Sequence, residues 1–214
     1  MRSRTEELRA SPRIFESDLM DRLSRIHPAV PVAIFAPTIV ALFATGSGRL
    51  GAQAIAYAIG GYLFWTLTEY WMHRVVFHFE PGGGIGARIH WMIHGVHHDH
   101  PNDPMRLVMP PAVSVPGALL FYGLFAFVLG TPVAYLFGAG FLAGYLAYDM
   151  THYHLHHRRP STRLGWLLHE LHMRHHFKDD TRGFGVSAPF WDYAFGTPQK
   201  RRSARAEQQR GQTS

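Results

Sequence analysis

No cysteine occurs among the 214 residues. That absence excludes disulfides, iron–sulfur clusters, thiolate-ligated haem and thiol catalysis together. Charge is scarce as well: Asp, Glu, Lys and Arg make up 17% of the chain, against the usual quarter of a soluble domain. The scarcity is segregated. Pro28 to Gly48 holds no Asp, Glu, Lys, Arg or His, Leu50 to Thr68 holds none either, and Leu107 to Tyr148 runs forty-two residues without one. Also missing are a solenoid-period repeat and an aromatic-interleaved basic repeat, so nucleic acid is not an expected partner. The N-terminus is not a secretory signal, because its charges are mixed and its apolar run comes late.

What is there fits a bilayer. A helix needs about 20 mainly apolar residues to cross one, so forty-two suit two spans and a tight turn. Gly130-Thr131-Pro132 supplies that turn. Four transmembrane helices are expected, at about residues 30–46, 51–68, 113–129 and 132–148. Lys and Arg number six in residues 1–27, three in 69–106 and eleven in 157–214, with only Arg49 in the hairpin loops. That asymmetry puts both termini and the central segment on the cytoplasmic side. The net charge of +6 then reflects topology and anionic headgroups. Residues 1–27 are expected to form a cytoplasmic or interfacial segment, an amphipathic helix with Ile14, Phe15, Leu19 and Leu23 near one face. Residues 28–198 form the membrane-embedded domain, and 199–214 a disordered basic tail.

Sixteen histidines are present, and all but His27 lie between His73 and His176. Four clusters stand out: His73 with His78; His94, His97 and His98; His152 with His156; and His172, His175 and His176. Two follow the second span and two follow the fourth, so adjacent hairpins bring all four to one cytoplasmic cap. Residues at i, i+3 and i+4 share a helix face, which lets His94, His97 and His98 point together and His172, His175 and His176 likewise. The first pair is five residues apart, a rotation of about 140° on a regular helix. It needs a distorted turn or must serve two metals, and the second reading is preferred.

Ten imidazoles at one site without metal would be desolvated, or would repel one another when protonated. Divided between two ions, they leave each a position for water, oxygen or substrate. Neutral imidazole suits iron, zinc, copper or nickel rather than calcium or magnesium. Glu69 and Asp149, at the cytoplasmic ends of spans, are expected to orient imidazole N–H groups. His90, four residues before His94, is a weaker ligand candidate; His154 and His157 are out of phase with His152 and His156. His169-Glu170-Leu171-His172 lacks the spacing of a zinc protease. Carboxylates near the clusters are sparse and unpaired, which disfavours zinc hydrolysis, whereas oxygen activation needs a redox metal such as iron with open positions.

The string Trp65-Thr-Leu-Thr-Glu-Tyr-Trp-Met-His-Arg-Val-Val-Phe-His78 resembles the first histidine box of the fatty acid hydroxylase (sterol desaturase) superfamily. His90-Trp-Met-Ile-His-Gly-Val-His-His-Asp-His-Pro101 with Arg106-Leu-Val-Met-Pro-Pro111 resembles its fatty acid 2-hydroxylase branch. Tyr148-Asp-Met-Thr-His-Tyr-His-Leu-His-His157 and His172-Met-Arg-His-His176 supply the other boxes, and Gly185 to Thr197 resembles the C-terminal signature. The likeness covers about residues 55–197.

The resemblance implies an all-α integral-membrane, O₂-dependent di-metal hydroxylase with a cytoplasmic histidine-rich helical cap. It implies ten metal ligands: His73, His78, His94, His97, His98, His152, His156, His172, His175 and His176. It implies two iron ions, with zinc able to take their place, and a fatty acyl or lipid substrate. Many eukaryotic relatives carry a cytochrome b5 domain with a His-Pro-Gly-Gly motif; the similar string here is Glu80-Pro-Gly-Gly-Gly84, so a separate electron donor is expected. No endoplasmic-reticulum retention signal is seen, which favours a bacterial inner membrane. Two rivals stand beside acyl hydroxylation, probed by product analysis and metal uptake: a sterol or carotenoid oxygenase, and a metal-binding or transport protein. Transport predicts ligands near mid-membrane.

Overall fold

The computed structural model describes residues 3–79 and 81–200. Residues 201–214, most of the expected tail, and Glu80 of the Pro-Gly-Gly string lie outside the described residues. Within them the chain is helical with no strand. Two short N-terminal helices, α1 (Arg4–Leu8) and α2 (Asp18–Leu23), precede four long ones: α3 (Ala29–Leu50), α4 (Gln53–Trp71), α7 (Pro111–Leu129) and α8 (Val133–His157). Between α4 and α7 come a π-helical segment (Met72–Phe77), α5 (Gly84–His90), a second π-helical segment (Trp91–Gly95) and α6 (Val96–Asp99). α9 (Arg163–Phe177) and α10 (Phe190–Ala194) complete the fold.

Turn chemistry sets the breaks. Gly51 ends α3 at φ 51°, and Gly130 ends α7 at φ 66°, conformations that an L side chain resists. Pro111 opens α7 at a position where its missing N–H costs nothing. The expected turn at 130–132 is therefore present.

α8 is the centre of the bundle: 61% of its most apolar stretch is buried, against 17% for α3 and 11% for α7. Glycines let it approach α4. A Cβ on Gly140 would stand 1.8 Å from the Ala58 carbonyl oxygen, and one on Gly61 would stand 1.9 Å from that of Phe137. Such backbone contact between small residues is how helices associate where apolar burial gives no preference for protein over lipid. Rings fill the rest: Trp65 lies edge-on to Phe141 and Tyr145, at 5.1 and 5.2 Å between centroids, and Phe35 meets Tyr145 at 5.0 Å. The outer surface is apolar too, with Phe127 89% and Leu120 74% exposed, a pattern suited to lipid rather than water.

Three of the four expected spans, α3, α7 and α8, are helices long and apolar enough to cross a membrane. α4 has the length, 19 residues, but its apolar run is diluted by Gln53, Thr66, Thr68 and Glu69. α8 runs well past the expected end at residue 148. At 1.5 Å per residue it measures about 37 Å, longer than a hydrocarbon core of about 30 Å. Its last turns, bearing His152 and His156, thus extend toward the histidine cap.

The N-terminal segment departs from expectation. It is not one amphipathic helix: Ser11-Pro12 separates α1 from α2, Ile14 is buried, and Leu19 and Leu23 are exposed. The segment instead straps the loop after α6. The Asn102 N–H donates to the Leu8 carbonyl (3.0 Å) and the Ile26 N–H to that of Met105 (2.6 Å). Arg106 pairs with Asp21 at 2.7 Å, and Arg25 with the same carboxylate at 3.0 Å. Burial pushes the Asp21 carboxyl up, but the Ile14 N–H, Arg25 and Arg106 outweigh it and bring it from 3.8 to about 2.

Candidate metal centre

The first histidine box begins where α4 gives way to the π-helical segment. There the His78 N–H donates to the His73 carbonyl, 3.2 Å away, the i→i+5 bond of a π-turn. That extra residue per turn puts residues five apart on one face, and the two Nε2 atoms come to 3.3 Å. The preferred sequence reading, that this pair is divided between two metals, is thereby corrected: the distorted turn delivers both rings to one place.

Ten histidines gather in two groups. His73, His78, His94, His98 and His175 form the first; His97, His152, His156, His172 and His176 form the second. Within each, one ring nitrogen per residue lies within 4.8 Å of all the others. These are the ten residues selected from spacing, five to a group. The expectation that His94, His97 and His98 point together does not hold, nor does its counterpart for His172, His175 and His176. Each i, i+4 pair stays in one group, while His97 and His175, at i+3, cross to the other. On a helix of 3.6 residues per turn, i+4 lies about 40° to one side of i and i+3 about 60° to the other. The two groups therefore interleave, and His98 and His176 meet across the boundary with centroids 4.3 Å apart.

Burial makes these rings neutral. It is the largest influence on His73, His94, His97, His172 and His176, followed by neighbouring imidazoles, and all are held well below the ordinary 6.5. His78 and His98 are pushed down to about 3 by burial first and then by His175. Each ring thus offers a lone pair at neutral pH. In the first group, neighbouring Nε2 atoms stand 3.0–3.3 Å apart; in the second, His172 Nε2 lies 2.8 Å from that of His156 and 3.1 Å from that of His176. Around an ion with bonds of about 2.1 Å, ligands at 90° are about 3.0 Å apart and at the tetrahedral angle about 3.4 Å. His97 Nε2 and His152 Nε2 are buried with no hydrogen-bond partner among the described residues, a costly state for a polar atom unless a cation takes the lone pair. The donor set fits a transition metal in each group.

Other histidines are engaged elsewhere. His90 Nε2 meets the Phe77 carbonyl at 2.6 Å, His100 Nδ1 that of Glu7 at 2.6 Å, and His169 Nδ1 that of Leu155 at 2.9 Å. His154 is exposed, and His157 packs at a tilt against Tyr153, with centroids 4.4 Å apart.

Glu69 and Asp149 are buried, but neither hydrogen-bonds an imidazole, contrary to expectation. Glu69 accepts from the Ser187 N–H (2.7 Å) and hydroxyl. Asp149 accepts from the Met109 N–H (3.3 Å) and the Tyr145 hydroxyl (3.4 Å). The imidazole N–H partners are backbone carbonyls: Phe184 for His73 Nδ1 at 2.7 Å and Arg182 for His175 Nδ1 at 2.8 Å. A carbonyl leaves no side-chain signature, so sequence reasoning missed them; only the Gly185–Thr197 string marked the neighbourhood.

A sequence profile of the fatty acid hydroxylase family matches residues 58–197. The chain is 37% identical over 202 residues to dihydroceramide fatty acyl 2-hydroxylase FAH1 of Arabidopsis thaliana, covering 92% of this chain and 84% of that protein. It is 36% identical to fatty acid 2-hydroxylase of Homo sapiens, over 86% of this chain and 56% of that one. A solved structure, full-length scs7p with only its hydroxylase domain visible, superposes with a TM-score of 0.82 at 34% identity, covering 86% of this chain and 70% of that one. The chain belongs to the fatty acid hydroxylase family and is an oxidoreductase of lipid metabolism.

Proposed function

We propose that this enzyme hydroxylates C2 of a fatty acyl chain, free or within a lipid such as a ceramide, at a pair of iron ions. One observation carries the reading: two sets of five buried or half-buried imidazoles, each with its nitrogens within 4.8 Å. His73, His78, His94, His98 and His175 hold one ion; His97, His152, His156, His172 and His176 hold the other. Zinc suits the same nitrogens and can occupy them. The names of the matched relatives, acyl and ceramide 2-hydroxylases, favour an acyl chain over a sterol or carotenoid ring. Grouping of the ligands at one end of the long helices disfavours transport.

The reaction consumes O₂, two electrons and two protons, replaces one C–H bond at C2 by C–OH, and releases water. The bound metal pair supplies the binding and reduction of O₂. The chain supplies ligation, positioning and dryness. α8 carries the site at the end of a helix otherwise packed among apolar residues, so an acyl tail reaches it without leaving an apolar environment, a saving of about 0.8 kcal/mol per CH₂. The two electrons come from a donor outside residues 3–200.

α4 completes a four-span bundle in this proposal: its 19 residues measure about 28 Å, and it packs along α8 through Gly61 and Gly140. The distribution of Lys and Arg supports a cytoplasmic histidine cap. Expression with a reductase system under ¹⁸O₂ tests the function, the expected product being a 2-hydroxy acyl lipid bearing one heavy atom. The His97→Ala variant should make none. Absence of labelled 2-hydroxy lipid from the wild type refutes the reading.

A further inference from the structure

The two histidine groups differ in what holds their rings from behind. In the first, His73 and His175 donate Nδ1–H to the carbonyls of Phe184 and Arg182, both in the loop between α9 and α10. That loop is fixed from several sides. The Asp192 carboxylate, 2% exposed, accepts from the Phe184 N–H and the Gly185 N–H, each at 2.9 Å, and from the Thr197 hydroxyl at 2.8 Å. Since Thr197 donates to Asp192, it accepts from the Tyr70 hydroxyl, 2.8 Å away, and Tyr70 lies one turn before His73. Gln199 Nε2 donates to the Arg182 carbonyl at 2.6 Å and to that of Asp179 at 2.8 Å. Gly185 has no space for a Cβ, which would lie 2.5 Å from the Ala188 carbonyl oxygen.

The second group has no such backing. The Nδ1 atoms of His156, His172 and His176 are buried without a partner, and those of His97 and His152 make no hydrogen bond to a carbonyl or carboxylate, among the described residues. A carbonyl behind a ligating imidazole fixes its tautomer and orientation and raises the basicity of the nitrogen facing the metal; such partners are worth 10–100-fold in metal affinity.

We propose that residues 182–199 act as a clip that makes the two metal positions inequivalent, so that the ion held by His73, His78, His94, His98 and His175 is retained and the other is released first. Asp192 is the positioning residue of this clip, acting through the Phe184 carbonyl on His73. The inference rests on the two-ion reading above.

The test uses the full chain, purified in detergent, loaded with Zn²⁺ and dialysed against a chelator, with zinc per chain followed by mass spectrometry. Two ions should leave in two phases whose rates differ about 10–100-fold. His176→Ala should leave one ion that departs at the slow rate, and His78→Ala one that departs at the fast rate. Asp192→Asn turns an acceptor oxygen into an NH₂ facing an N–H, and should accelerate the slow phase while sparing the fast one; a general loss of structure would accelerate both. Gln199→Ala, which frees the Arg182 and Asp179 carbonyls and leaves the Asp192 contacts in place, provides the same test should Asp192→Asn fail to fold. A single phase in the wild type, or a slow phase unchanged in both clip variants, overturns the inference. A wild-type chain that takes up fewer than two ions refutes the two-ion reading instead.

Discussion

Gly140→Ala places one methyl group where α8 touches α4. The Cβ would begin 1.8 Å from the Ala58 carbonyl oxygen, and 3.4 Å is the near limit of ordinary contact. Both partners are helical backbone, so no side chain can rotate away and the helices themselves must separate. Overpacking of this kind costs about 1–3 kcal/mol, occasionally more; alanine's better helix propensity returns about 1 kcal/mol. A clash of backbone against backbone puts the cost at the upper end of that range, so the net expectation is a loss of about 2 kcal/mol, read as a lowered midpoint of thermal or denaturant unfolding in detergent. Gly123→Ala on α7 is the control, because a Cβ there meets nothing within 4 Å. The same substitution at that position should be neutral or stabilising by up to about 1 kcal/mol. Activity should fall further than stability at position 140, since a shift of about 1 Å in catalytic geometry can cost about 100-fold in rate. A Gly140→Ala variant as stable and as active as Gly123→Ala would refute the close-contact argument.

Further perturbations bear on the strap and the clip. Arg106→Ala leaves the buried Asp21 carboxylate with only Arg25 and the Ile14 N–H, so the strap should loosen and limited proteolysis within residues 9–17 should accelerate severalfold. Asp21 sits at about 2 in the folded chain against 3.8 when free, so the folded state binds fewer protons between those values. Its stabilisation is complete above about pH 4 and fades as pH falls toward 2; Asp21→Asn should abolish that part of the acid-dependent loosening, measured by the same proteolysis. Gly185→Ala forces a Cβ against the Ala188 carbonyl oxygen, and is expected to lower metal content on purification through displacement of the Phe184 carbonyl, with the unfolding midpoint falling by less than in Gly140→Ala.

The helical bundle was legible because a bilayer demands apolar runs that no soluble surface needs, and the ten histidines because imidazole spacing reports which residues share a helix face. Three features were hidden. The π-turn that unites His73 and His78 depends on one backbone hydrogen bond from His78 to His73, which no residue type announces. The crossing of His97 and His175 depends on where the two groups lie around each segment, since i+3 and i+4 look equally good along the chain. Glu69 and Asp149 look like imidazole partners by position, yet their donors, Ser187 and Met109, are 118 and 40 residues away. The strap was misread for a related reason: Leu19 and Leu23 do share an apolar face, but the carboxylate of Asp21 between them is drawn inward by Arg106, a long-range partner.

The interleaving of the groups has a mechanical consequence. The 94–98 segment and α9 each supply both groups, so neither segment can move without disturbing both. The remaining histidines are private: His73 and His78 follow α4 and belong only to the first group, whereas His152 and His156 stand on α8 and belong only to the second. The shared segments therefore bridge α4 and α8, and the separation of the two groups follows from how closely those helices approach. That approach is set by Gly61, twelve residues before His73, and Gly140, sixteen residues before His156. Two glycines thus bear on the geometry of a site several helical turns away, because a rigid helix carries a displacement at one packed point along its length.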